Sequence, residues 1–205
     1  ANRLGASALM QGLADGYFVA PHTVMDYLAK EKADFSNKTD HKEFTDAVKE
    51  TEKDIENIMS IKGDLVVDEV HRELGKIVWD KVGMARDKKG LNYAIESIPK
   101  IKEKFWNNVS IPGSDKDMNQ ELEKALRLKD FIELAELMAH DALDRNESCG
   151  AHFREEYQTS ENEAERNDND FKYVAAWGYN KNGKPSLFKE DLKYKNVKLK
   201  TRSYK

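Results

Sequence analysis

Four successive segments of this 205-residue chain each carry a single apolar stripe at helical spacing. The first runs through Phe44, Val48, Ile55, Ile58 and Met59, and Gly63-Asp64 interrupts it. The second comprises Val67, Val70, Leu74, Ile77, Val78 and Val82, closing near Gly83. Leu91, Ala94, Ile95, Ile98, Ile101, Phe105 and Val109 form the third; Leu122, Leu126, Ile132, Ala135, Met138 and Ala142 form the fourth. A helix with one apolar face gains little by forming alone, so four of them must share a core. The predicted fold is mainly α: an antiparallel bundle of three or more helices. The length is sufficient for such a core.

Punctuation between the stripes sets the boundaries. An earlier helix is predicted from about Ser7 to Lys32, interrupted at Pro21. Asn37–Asp40 is a polar break, and Asp40 with Glu43 has capping-box spacing. Pro99 falls inside the third stripe and predicts a kink or a break. Ile111-Pro112-Gly113-Ser114 is a connector, and the last long helix should run from Met118 to Arg145. Helical pattern stops at Glu147, and Ser160–Asp170 reads as a solvated acidic loop. Phe171–Trp177 is rich in strand formers, Asn182-Gly183 is a turn signal, and Ser186–Val197 can return as a second strand. These breaks divide the chain into residues 1–36, a bundle over 37–158, and an irregular tail with a candidate β-hairpin over 159–205.

Composition removes several function classes. The net charge is −4 with 35% charged residues, and no clustered basic face suggests nucleic acid. No apolar run approaches the roughly 20 residues of a membrane span. Gly12 and Gly16 have GxxxG spacing, but Asp15 between them favours ordinary close helix packing. Cys149 is the sole cysteine, which rules out an internal disulfide and favours a reducing compartment. It has no evident activating base. His22, His41, His71 and His140 lack metal-ligand spacing.

Chemistry concentrates at the start, Ala1-Asn2-Arg3-Leu4-Gly5-Ala6-Ser7-Ala8-Leu9. An arginine and a glycine precede an apolar helix whose first-turn N–H groups are free to meet a ligand oxygen. A guanidinium there can grip a carboxylate with two parallel hydrogen bonds. The segment reads as the interior of a longer protein.

Asn2-Arg3-Leu4-Gly5 resembles the NRLG of succinate dehydrogenase and fumarate reductase flavoprotein subunits, with Ser7-Ala8-Leu9 where many members read Asn-Ser-Leu. The run through Met10–Val19 is similar to the Bacteroidetes-type branch. Further matches fall at His71–Lys76, Gly83–Arg86 and Arg145–Arg154. The resemblance implies that Arg3 binds the dicarboxylate substrate, succinate or fumarate, and that the backbone of Ala8 and Leu9 touches the flavin ring. It assigns no catalytic residue here, because the Gly-rich FAD fingerprint and the proton donor lie upstream in the family. Residues 1–36 then end the flavin-domain segment.

FAD is the implied cofactor of the full subunit, and this fragment alone is expected to be inactive and not to retain it. The implied partners are an iron–sulfur subunit and a membrane-anchor cytochrome b subunit, with the whole sitting peripherally on the cytoplasmic side of the inner membrane. Arg145–Arg154 resembles the family's R-x-E-S-R-G-x-H pattern, with Cys149 where arginine is usual. His152 there is expected to order the chain after the last helix against the flavin domain rather than to catalyse, and Glu147 and Ser148 to end that helix. Two other readings compete: a free-standing helical interaction module, and the C-terminal part of an L-aspartate oxidase relative.

Overall fold

The computed structural model describes residues 7–31, 39–180 and 184–200. Helix α1 (Ser7–Ala14) and helix α2 (Ala20–Lys30) are joined by a π-helical turn, Asp15–Val19. The Ala20 N–H bonds to Asp15 O at the end of that wide turn. Pro21 has no N–H to donate and sits in the first turn of α2, where none is needed. The expected interruption at Pro21 is therefore a widening of the helix just before it, not a break. Among Ala8–Ala14 and Ala20–Lys30 no residue is buried.

Four longer helices make the core: α3 (Lys42–Ser60), α4 (Val67–Lys81), α5 (Lys88–Asn108) and α6 (Gln120–Asp144). The expected capping box at Asp40 and Glu43 does not form. His41 precedes α3, no side chain caps it, and its carbonyl takes the N–H groups of Phe44 and Thr45. Only the carboxyl half of the α3 stripe is covered: Ile58 is fully buried, whereas Phe44 and Val48 face solvent.

Helix α5 lies centrally, packed against both α4 and α6. Its Leu91, Ala94, Ile98 and Phe105 have no exposed surface. It runs unbroken through Pro99, since burial of Ile98 and Ile101 on either side holds the helix across the missing N–H. Leu65 N donates to Asn108 O at 2.9 Å and Ser110 N to Leu65 O at 2.9 Å, so α4 begins where α5 ends and the two are antiparallel.

Asn119 Oδ1 caps α6 by accepting from Leu122 N at 3.1 Å. The buried face of α6 is Leu122, Ala125, Leu128, Ile132, Ala135, Ala139 and Ala142. Leu126 is only half-buried and Met138 is exposed, contrary to expectation. Both lie just off that face, and small alanines at 125, 135, 139 and 142 take the inward positions.

Past α6 the chain is fastened by specific bonds. The acidic stretch expected to be a solvated loop is tied down by Ser148 N to Glu165 O (2.8 Å) and Glu165 N to Tyr157 O (3.1 Å). A four-residue helix α7 (Asp168–Phe171) leads into β1 (Tyr173–Gly178), which pairs antiparallel with β2 (Ser186–Asp191) in the register Tyr173↔Asp191 to Gly178↔Ser186. The expected hairpin therefore forms, although β2 ends at Asp191 rather than Val197. The turn at Asn182-Gly183 lies outside the described residues. Trp177 Nε1 donates to Asp141 Oδ1 at 2.7 Å and docks the hairpin on α6.

Candidate functional site

Of the residues that sequence points to, Arg3 lies outside the described residues. Ala8 and Leu9 are in the first turn of α1, both exposed. The first four N–H groups of a helix have no intrahelical acceptor, so both residues present backbone donors at its positive end. Ala8 adds only a methyl group, which leaves the turn open to a flat ligand edge.

Beyond that turn, the helical stretch is apolar and bare. Ten large hydrophobic side chains from Leu9 to Leu28 are each at least 44% exposed. An apolar surface of this extent marks a face that another structure covers.

A second cluster sits where α6 ends and is built from three arginines. Arg154, 1% exposed, donates from Nη1 to Ala142 O at 2.9 Å and from Nε to Glu156 Oε2 at 3.2 Å. Its guanidinium also lies over the Tyr157 ring, 5.4 Å from the centroid. Arg145 pairs with the buried Glu147 at 2.6 Å and donates to Phe171 O and Tyr173 O, both at 3.0 Å. It stacks against the Tyr173 ring at 4.9 Å. Arg86 caps α4 from Nε, donating to Val82 O (3.0 Å) and Gly83 O (2.9 Å).

Two small groups lock these cations together. Ser148 Oγ accepts from Arg154 N at 2.9 Å and donates to Arg154 O at 3.1 Å. Arg86 Nη1 lies 2.9 Å from His152 Nδ1, and His152 Nε2 lies 2.9 Å from Arg145 O. An arginine only donates, so Nδ1 must accept and the proton sits on Nε2, which donates to the carbonyl. Burial pushes the imidazole pKa below its usual value; the bond to the Arg145 carbonyl opposes this, and the cations Arg86, Arg154 and Arg145 reinforce it. His152 thus ties the chain after α6 to the loop after α4. Glu147 and Ser148 do more than end the helix: Glu147 Oε2 also takes Asn167 N at 2.8 Å.

Sequence reasoning missed the roles of Arg86 and Arg154. The available signal was their position, cations placed within reach of the closing carbonyls of two predicted helices. Cys149 is half-buried, and burial followed by the Glu147 charge raises its thiol pKa. Among the described residues, no group of three or more His, Cys, Asp or Glu side chains could hold a metal ion. No described helix is long and apolar enough to cross a membrane.

Residues 71–204 match the model of the fumarate reductase flavoprotein C-terminal family. An uncharacterized FAD-dependent oxidoreductase of Methanocaldococcus jannaschii is 34% identical over 163 residues, 80% of this chain and 27% of that protein. The succinate dehydrogenase flavoprotein subunit of Bacillus subtilis is 28% identical over 172 residues, 83% of this chain and 28% of that protein. The fold superposes on a variant of E. coli quinol fumarate reductase with a TM-score of 0.67 at 22% identity, covering 80% of this chain and 27% of that one. The chain thus spans less than a third of the length of these relatives.

Proposed function

The chain belongs to the fumarate reductase flavoprotein C-terminal family, and from that membership we propose that it is the carboxyl-terminal part of a flavoprotein subunit that interconverts succinate and fumarate. The observation that carries the reading is the bare apolar helix at α1–α2, which follows directly on the Asn2-Arg3-Leu4-Gly5 segment. A substrate-gripping arginine joined to a helix that wants a cover fits a polypeptide whose other half completes the site.

The donor set at α1 suits a flavin, because backbone N–H groups at a helix start favour negative charge on a ring edge. When bound in the complete subunit, FAD supplies the hydride chemistry. Arg3 holds one substrate carboxylate through paired hydrogen bonds and fixes the dicarboxylate in position. The N–H groups of Ala8 and Leu9 present their dipoles to the ring. Residues 1–36 close the flavin-domain segment, 37–158 form the helical bundle, and 159–205 complete the tail. Electrons pass to an iron–sulfur subunit. A cytochrome b subunit anchors the assembly peripherally on the cytoplasmic side of the inner membrane. The fragment alone is inactive and colourless.

Arg3→Ala in the complete subunit tests this reading. Losing a two-pronged carboxylate anchor is worth roughly 2–5 kcal/mol, so succinate turnover should fall about a hundredfold or more. A variant turning over succinate at the normal steady-state rate would remove Arg3 from the site.

A further inference from the structure

The imidazole of His152 joins three separate stretches of chain: the loop after α4 through Arg86, the end of α6 through the Arg145 carbonyl, and its own turn at Cys149–His152. We propose that His152 is a pH-sensitive latch, which as a neutral ring couples Arg86 to the Arg145 carbonyl and on protonation releases Arg86. The geometry permits only one protonation state. Nδ1 faces a guanidinium at 2.9 Å, and a guanidinium has no lone pair to offer a second N–H. A proton added at Nδ1 would set N–H against N–H and charge against charge.

The charged groups facing the ring are Arg86 from the loop after α4, Arg145 from the end of α6, and Arg154 from the strand-like segment beyond the turn. Of the carboxylates on these elements, Glu147 is held by Arg145 and Asn167 N, Asp144 by Tyr173 Oη, Asp87 by Gly90 N, and Glu156 by Arg154 and the Lys88 N–H; Asp141 takes Trp177 Nε1 and lends its charge to Arg86. Cys149 shares the turn but stays a neutral thiol, its pKa raised by burial. Protonation therefore meets cations. The same segments are joined by two backbone bonds, Arg86 N to Phe153 O at 3.2 Å and Glu155 N to Arg86 O at 2.8 Å. Those two amides report whether the latch is shut.

The direction follows from the depressed pKa. Above the ordinary imidazole value, near 6.5, the ring is neutral in both folded and unfolded chains and the latch contributes in full. As pH falls below that value the unfolded chain takes up the proton first, and the contribution is lost progressively towards the lower folded value.

The test is amide hydrogen exchange on the 205-residue chain at pH 7.5 and pH 5, corrected for intrinsic rates. Protection at Arg86 and Glu155 should drop about tenfold or more in the native chain. His152→Gln keeps an acceptor for Arg86 and a donor for the Arg145 carbonyl but does not titrate, so its protection should hold at both pH values. No drop in the native chain, or an equal drop in the Gln variant, overturns the proposal. Ring ¹⁵N shifts of the native chain give an independent reading that needs no variant. The Nε2–H form at pH 7.5, with the native ring protonating only below the pH at which protection begins to fall, supports the latch, and any other form, or native protonation at or above the ordinary imidazole value, refutes it.

Discussion

Arg154 Nη1 donates to the carbonyl of Ala142 at 2.9 Å from a position with only 1% of its surface exposed. Ala142 is in the last turn of α6, where carbonyls have no intrahelical donor. A buried cation at a helix carboxyl end satisfies those groups and meets the negative end of the dipole.

Arg154→Met keeps most of the volume and removes every side-chain donor, while the backbone bonds to Ser148 stay available. The helix-end carbonyl of Ala142 then loses its partner, and unsatisfied buried acceptors cost about 1–3 kcal/mol each. The expected loss is about 2–4 kcal/mol, read as a lower urea midpoint at unchanged slope. A midpoint within error of the parent would show that the carbonyls find water instead.

Two glycines separate close approach from mere presence. A Cβ at Gly63 would lie 1.8 Å from Asn108 O, backbone against backbone at the junction of α4 and α5. Gly63→Ala should destabilise by more than about 2 kcal/mol, because nothing there can yield cheaply. Gly75, inside α4, has nothing within 4 Å of such a Cβ. Gly75→Ala should instead stabilise the chain by about 0.5–1 kcal/mol. Thermal midpoints moving in opposite directions would check both at once.

Cys149 has its thiol pKa raised by burial, and the Glu147 carboxylate adds to the shift. The reactive species is the thiolate, so its fraction at pH 7.5 is below that of a free cysteine. Alkylation by iodoacetamide should accordingly be slower than for a model thiol. It should rise through a midpoint above the ordinary value of 9.0. A midpoint below 9.0 would mean that the Arg166 and Arg145 charges, rather than burial, control the sulfur.

The bundle was legible because α4 and α5 each repeat one stripe with little else apolar. Pattern and packing agree there at Val70, Leu74, Leu91, Ile98 and Phe105. In α6 it found Leu122, Ile132, Ala135 and Ala142 but missed Ala125 and Ala139, whose small side chains carry little hydrophobic signal, and took Met138, which is exposed, for one of the face. The arginine cluster was hidden for a different reason. Arg145 and Arg154 serve carbonyls distant in sequence, those of Phe171, Tyr173 and Ala142, and such contacts have no periodicity to read. The amino half of the α3 stripe and the apolar side chains of α1–α2 remain uncovered. Periodicity predicts a face to be buried; it does not say which partner buries it.

That uncovered face gives the last prediction. Phe18, 66% exposed in the turn joining α1 and α2, contributes little to this chain's own core. Phe18→Ala should change the stability of the 205-residue chain by no more than about 0.5 kcal/mol, as for other solvent-facing substitutions. If the complete subunit covers this helix, the same change empties a packed site and costs about 3–5 kcal/mol there. Parallel thermal melts of the chain and of the complete subunit, each with and without the substitution, measure the difference directly. Equal effects in the two would mean that the apolar side of α1–α2 stays in solvent, and the cover inferred from its composition would not exist.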